Sequence, residues 1–69
     1  FDLLSYLLEN SGNVLTKKEI LEEIWEILDP TEEDVNKVEV YIGYLRKKLK
    51  PFNLDVYINT VRGFGYRWN

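Results

Sequence analysis

The chain contains no cysteine, no histidine and no methionine. Without cysteine it can form neither a disulfide nor a thiolate metal site. Without histidine it lacks the commonest catalytic base and metal ligand. Its apolar runs are too short to cross a bilayer, and no signal peptide is recognisable. We therefore expect a cytoplasmic protein that does not enter the membrane, and, because it starts at Phe1, a piece of a longer polypeptide.

The chain has 69 residues, a length that suits one small domain (1–69) of marginal stability. Its charge is distributed unevenly. The net charge is −3, yet residues 1–34 carry two lysines against ten carboxylates. Residues 35–69 carry seven lysines and arginines against two carboxylates. Because the local field governs attraction to a polyanion more than the total charge does, a nucleic-acid contact is expected in the second half.

Apolar spacing predicts two helices in the first half. The first contains Phe1, Leu4, Leu7 and Leu8 and ends at Ser11-Gly12-Asn13, a typical left-handed cap sequence. The second starts with Thr16-Lys17-Lys18-Glu19, a capping box in which Thr16 and Glu19 satisfy each other's backbone amides, and Leu15 with Ile20 forms a hydrophobic staple. Its apolar face is predicted to comprise Ile20, Leu21, Ile24, Trp25 and Leu28.

A third helix follows the break at Asp29-Pro30, with either Thr31 or Asp34 as its cap, and Pro51 ends it. Its inward stripe is Val35, Val38, Ile42, Leu45 and Leu49. The other faces carry lysines, an arginine, Val40 and two tyrosines. The tyrosine rings either pack partly against neighbouring elements or face a groove of DNA, where valine can contact a thymine methyl and tyrosine a phosphate.

A β-hairpin is predicted at the end of the chain. Residues 56–61 alternate as a half-buried strand does, Tyr66-Arg67-Trp68 is the return strand, and 62–65 form the turn. Gly63-Phe64-Gly65 is interpreted as turn sequence, because a phosphate loop precedes a helix and only four residues follow Gly65. Phe64 and Trp68 belong either to the hairpin tip or to the core. Val14-Leu15 is expected to add a third short strand.

The acidic residues form a solvated surface or a surface for docking a partner. They do not have the spacing of a calcium loop, and no nucleophile and base can be paired. We therefore expect no enzyme activity, no metal and no cofactor. The order of elements predicts an α+β winged helix-turn-helix, with three helices and a C-terminal hairpin as the wing.

Three stretches resemble the DNA-binding effector domain of OmpR/PhoB-type response regulators: residues 14–25, 38–49 and 58–67, the last with the specific sequence Thr-Val-Arg-Gly-x-Gly-Tyr. The resemblance covers essentially the whole chain. It implies that the third helix enters the major groove and the wing the minor groove of double-stranded DNA. It also implies a set of DNA-binding residues: Asn36, Lys37, Val40, Tyr41 and Tyr44 towards bases or phosphates, Arg46 and Lys48 near the backbone, and Thr60 and Arg62 at the wing.

The resemblance further implies a receiver domain in the same polypeptide, a possible dimer on DNA, and a contact to RNA polymerase through the loop of Leu28, Asp29, Pro30, Thr31, Glu32, Glu33 and Asp34. Family members usually have a four-stranded sheet before the first helix, and its absence here should expose apolar surface on that helix. Gly43-Tyr44 stands where paired arginines are common, which weakens readout of guanine. Two alternatives therefore stay open: a winged-helix module that binds protein, and a minimised scaffold with little affinity for DNA.

Overall fold

The computed structural model describes residues 2–69, so Phe1 of the predicted first stripe lies outside the described residues. The helices are α1 (Asp2–Glu9), α2 (Lys17–Trp25) and α3 (Glu32–Leu49). The strands are β1 (Leu15–Thr16), β2 (Ile58–Val61) and β3 (Gly65–Trp68), which form one antiparallel sheet in the order β1-β3-β2. The predicted α+β winged helix-turn-helix architecture is confirmed.

Helix α1 buries part of the predicted stripe: Leu7 is in the core and the half-buried Leu4 packs against it. Leu3 and Leu7 are fully buried, whereas Leu8 is 48% exposed. Residues four apart lie on one helix face, and Leu8 is turned about 100° away from Leu7. Leu8 thus adds to the apolar surface expected on this helix. After α1, the Gly12 amide donates to the Trp68 carbonyl at 2.8 Å, which ties the helix end to β3.

Helix α2 starts as predicted and ends earlier. Thr16 Oγ1 accepts a hydrogen bond from the Glu19 amide at 3.1 Å, which confirms Thr16 as the cap. The reciprocal half of the predicted capping box is wrong: the Glu19 carboxylate accepts from the Thr16 hydroxyl, and the Thr16 backbone belongs to β1, which pairs with β3. Glu26 adopts a left-handed conformation (φ 57°) and closes the helix. The prediction that Leu28 belongs to the apolar face is wrong: Leu28 lies beyond this cap and is 69% exposed.

Helix α3 is capped by both of the residues considered for that role. Thr31 is the N-cap, and its hydroxyl accepts from the Asp34 amide at 3.3 Å. The Asp34 carboxylate accepts from the Thr31 amide at 2.9 Å and completes a capping box. The inward stripe is confirmed: Val35 is half-buried, and the rest is buried, namely Val38, Ile42, Leu45 and Leu49.

Both edges of the sheet differ slightly from the prediction. Strand β2 begins at Ile58, because Asp55–Tyr57 forms a 3-10 turn in which Val56 is exposed. Strand β1 is shifted by one residue from Val14-Leu15: Leu15 pairs with Tyr66 and Thr16 with Gly65. The shift places Leu15 in the core and leaves Val14 outside it.

The two glycines of the hairpin have separate roles. Gly63 (φ 82°) lies in the turn, where the Phe64 amide donates to the Val61 carbonyl at 3.0 Å. Gly65 is the first residue of β3, and the interpretation of it as turn sequence is wrong. A Cβ there would overlap the Leu15 carbonyl oxygen and lie 2.9 Å from Thr16 Cα. Gly65 is needed for the close approach of β1.

All three helices and the sheet contribute to one apolar core. Its sheet side is formed by Leu15, Ile58 and Tyr66. Trp68 is half-buried and stacks on Tyr57 with ring centroids 5.6 Å apart. Phe64 is 67% exposed at the hairpin tip. Trp68 therefore belongs to the edge of the core, and Phe64 to the wing.

Candidate nucleic-acid interface

The exposed face of α3 is opposite its buried stripe. Asn36, Val40, Tyr44 and Lys47 lie there, with Val40 54% and Tyr44 58% exposed. Their spacing of three or four residues aligns the side chains along one face. This face combines an amide, an apolar side chain, a phenol and an ammonium group, which is a chemistry that suits base edges and phosphates.

The two tyrosines of α3 have different environments. Tyr41 is half-buried and packs edge-on against Trp25, with ring centroids 5.0 Å apart. Tyr44 packs edge-on against Tyr41 at 6.2 Å and stays largely exposed. Lys37 Nζ lies 5.8 Å from the centre of the Trp25 ring. Of the two alternatives for the tyrosine rings, Tyr41 thus packs against neighbouring elements, whereas Tyr44 is available to a partner.

An apolar groove of ≈ 310 Å³ adjoins this aromatic row. It lies between α1 and the second half of α3, and is lined by Leu4, Tyr41, Tyr44, Leu45, Lys48 and Leu49. Lys48 is therefore at the rim of a groove beside α1, and Lys47 is more nearly opposite the core. The predicted DNA-binding set does not include Lys47, although helical spacing from Val40 and Tyr44 places it on their face.

Arg46 is directed towards the sheet. Its Nη2 donates to the Ile58 carbonyl at 3.0 Å and to Thr60 Oγ1 at 2.9 Å. Its guanidinium carbon lies 5.8 Å from the centre of the Tyr66 ring. Arg46 and Thr60, both predicted to contact DNA, are thus bonded to each other and join α3 to β2.

The base of the wing adjoins the start of α2. A pocket of ≈ 380 Å³ is lined by Lys17, by Thr60 and Val61 of β2, and by residues 62–65. Lys17 Nζ bonds to Glu39 Oε1 of α3 at 2.8 Å, and this hydrogen bond raises the pKa of Lys17. Arg62 is exposed in the turn beside Phe64. Lys17 is a residue at this surface that motif reading did not select.

The connection between α2 and α3 is acidic and solvated. Asp29, Glu32 and Glu33 are exposed, as is Leu28, while Pro30 and Asp34 are half-buried. The backbone hydrogen bond from Thr31 holds the pKa of the Asp34 carboxyl below its usual value. Across residues 2–69, the structure shows no group of three acidic side chains arranged to hold a metal ion. None of the helices in this range is long and apolar enough to cross a membrane.

Three helices, a three-stranded sheet and an exposed third helix beside a hairpin define a winged helix-turn-helix domain. A family model described as "Transcriptional regulatory protein, C terminal" matches residues 1–68. The chain belongs to this family, the effector domains of OmpR/PhoB-type response regulators, whose members are transcription regulators that bind DNA and not enzymes.

Similar proteins agree with this assignment. The chain is 50% identical over 66 residues to the response regulator ArlR of Staphylococcus saprophyticus, and 47% identical to ArlR of Staphylococcus aureus. In both cases 96% of this chain is covered, and it spans 29% of the relative's length. A solved structure, the C-terminal domain of the nisin resistance regulator NsrR, aligns with a TM-score of 0.76 at 39% identity, covering 96% of this chain and 64% of that one.

Proposed function

We propose that residues 1–69 form one effector domain that binds double-stranded DNA sequence-specifically, with α3 in the major groove and the wing in the minor groove. The domain would act in the cytoplasm, as part of a two-component transcriptional response regulator. The observation that carries this proposal is the exposed face of α3 lying beside the wing, to which Arg46 joins it. Membership of a family of DNA-binding transcription regulators adds independent support.

Base readout is assigned to the exposed face of α3. Asn36 can form a bidentate pair with adenine, and Val40 can contact a thymine methyl. The Tyr44 hydroxyl suits a phosphate. Tyr41, packed on Trp25, supports Tyr44 from behind. Because Gly43 carries no side chain, readout in the middle of α3 depends on Val40 and Tyr44.

The cations are assigned to the DNA backbone and the minor groove. Lys47 on the α3 face, and Lys37 and Lys48 beside that face, would neutralise phosphates. Arg62, exposed at the wing, suits a narrow minor groove, where the negative potential is concentrated. Thr60 lies at the base of the same wing.

Three partners belong to this proposal. A receiver domain in the same polypeptide accords with the 29% of the ArlR length that the chain spans. The exposed loop 28–34 is assigned to RNA polymerase, where Leu28 offers an apolar contact amid carboxylates. A second copy is expected on DNA, with adjacent half-sites about one helical turn apart.

A salt titration tests the proposal. A duplex would be selected from a randomised pool with the 69-residue chain, and its affinity measured by fluorescence anisotropy. If Lys37, Lys47 and Lys48 each neutralise one phosphate, log affinity falls with log salt at a slope of roughly −2.7, or about 40-fold between 50 and 200 mM. Lys48→Ala should make this slope shallower by about one.

Two variants distinguish a specific contact of the wing from the general effect of losing a positive charge. Arg62→Ala should weaken binding about tenfold. Lys50→Ala, which removes an exposed cation from the 3-10 turn after α3, is the matched control and should leave affinity unchanged. If Arg62→Ala and Lys50→Ala behave alike, the wing assignment fails. If no duplex is enriched even at low salt, the module that binds protein, or a scaffold without DNA affinity, replaces the DNA-binding proposal.

A further inference from the structure

Arg46 bonds to the free edge of β2. Strand β2 is at the edge of the sheet and, within residues 2–69, pairs only with β3. The Tyr57 carbonyl accepts from the Asn69 amide at 2.8 Å, on the β3 side. Because successive residues of a strand direct their backbone groups to opposite sides, the Ile58 carbonyl is directed away from β3. Arg46 Nη2 reaches this carbonyl across 3.0 Å.

The same nitrogen also donates to Thr60 Oγ1 at 2.9 Å. Both bonds are charge-assisted, which makes them about twice as strong as neutral hydrogen bonds. The Tyr66 ring, 95% buried by its neighbours, lies beneath the guanidinium with its centre 5.8 Å from the guanidinium carbon. Two acceptors and an aromatic ring from two different strands therefore restrain one side chain of α3.

The position of these bonds in the chain matters. Thr60 is two residues before Arg62, and Val61 between them closes the turn by accepting from the Phe64 amide. Fixing Ile58 and Thr60 relative to α3 therefore fixes the direction in which the wing leaves the sheet. A second link, the bond between Lys17 and Glu39, connects α2 with α3 at the base of the wing.

We propose that Arg46 is a positioning residue that sets the angle between the recognition helix and the wing. It acts through β2 and not as a phosphate ligand. This proposal rests on the DNA-binding function proposed above, because a fixed angle matters when α3 and Arg62 must enter two adjacent grooves together. The domain would be preorganised for DNA, so that little ordering is left for the binding step.

The first test needs no DNA. Residual dipolar couplings of backbone amides would be measured for the native 69-residue chain and for Arg46→Ala, Arg46→Lys and Thr60→Val. We expect the hairpin couplings in Arg46→Ala to depart from the native orientation relative to α3, with unchanged couplings within α3. The lysine side chain is one bond shorter than that of arginine and lacks the planar guanidinium that lies by the Tyr66 ring, so Arg46→Lys should not restore the native orientation. Native hairpin couplings in Arg46→Ala would overturn the proposal.

The second test is a double-mutant cycle on the selected duplex. If Arg46 acts through the wing, Arg46→Ala should cost much less affinity once Arg62 is already alanine, with a coupling of about fivefold. Additive losses, or full rescue by Arg46→Lys, would identify a direct phosphate contact and overturn the proposal. If Arg46→Ala does not fold, Thr60→Val, which leaves α3 intact, takes its place in the double-mutant cycle with Arg62→Ala. Absence of any DNA binding would refute the proposed function alone, since the couplings of the free domain still decide the role of Arg46.

Discussion

Replacing Gly65 with alanine should destabilise the domain far more than the same change at Gly43. At Gly65 the added methyl would overlap the Leu15 carbonyl oxygen and lie 2.9 Å from both the Leu15 carbonyl carbon and Thr16 Cα. All three atoms are backbone, so no side-chain rotation can make room. The chain must instead separate β1 from β3, whose pairing consists of Leu15 with Tyr66 and Thr16 with Gly65.

The magnitude follows from two contributions. Forcing a methyl group into a well-packed site costs typically about 1–3 kcal/mol. Separation of β1 also loses backbone hydrogen bonds, at about 1 kcal/mol each. We expect a loss of at least about 3 kcal/mol for Gly65→Ala. A domain of this size has only about 3–10 kcal/mol of total stability, so the substitution should remove from roughly a third to all of it.

Gly43→Ala is the matched control. Gly43 lies in the interior of α3, and a Cβ there would meet none of the atoms of residues 2–69 within 4 Å. Alanine should raise stability by about 0.5–1 kcal/mol, because glycine loses more backbone entropy in a helix. Urea unfolding followed by tryptophan fluorescence would measure both variants. The reasoning is refuted if Gly65→Ala keeps the native midpoint, or if Gly43→Ala lowers it with an unchanged slope.

Two further predictions concern the connection between α2 and α3. The Thr31 backbone bond lowers the pKa of Asp34 in the folded protein. The ionised Asp34 carboxylate should therefore contribute its full stabilisation above the unfolded pKa of about 3.9, and this stabilisation should be lost as the pH falls through the lower folded pKa. An NMR titration of the Asp34 carboxyl should give a pKa below its usual value, and Thr31→Val should raise that pKa only part of the way back, because the variant removes the hydroxyl and keeps the backbone amide that contributes most; an unshifted native pKa contradicts the capping geometry. Leu28→Ser should change the unfolding free energy by less than about 0.5 kcal/mol. Leu21 is fully buried, and the control Leu21→Ala should lower the unfolding free energy by about 2–5 kcal/mol. Equal losses in urea unfolding would mean that Leu28 is packed.

Local rules predicted the elements of this fold, because their signals lie within a few residues. The stripe of α3 follows from helical periodicity, and the Thr16 cap from a four-residue pattern. The early end of α2 was missed because nothing in the sequence before Glu26 marks it. A left-handed glutamate replaces the usual glycine or asparagine cap, and Pro30, which predicts the end of the helix, comes four residues later.

The candidate nucleic-acid interface was harder to predict, because it depends on contacts between elements that are far apart in the sequence. Helical spacing alone placed Val40 and Tyr44 outward. It could not distinguish Tyr41 from Tyr44, because that difference comes from Trp25 on another helix. Nor could it show that Arg46 would find its acceptors on β2, twelve and fourteen residues further along the chain. The role of Gly65 likewise could not be predicted without knowing where β1 lies, and the sequence Gly63-Phe64-Gly65 contains no information about β1.

The distribution of charge along α3 explains how an acidic domain can still bind DNA. Three carboxylates occupy the first turn, Glu32, Glu33 and Asp34, and three cations the last, Arg46, Lys47 and Lys48. Both sets oppose the partial charges of the helix ends and so stabilise the helix. The same arrangement makes the N-terminus of α3 a poor phosphate site, because carboxylates surround its amides. In the function proposed above, attraction to DNA therefore comes from the second half of α3 and from the wing, which the bond between Arg46 and Thr60 joins.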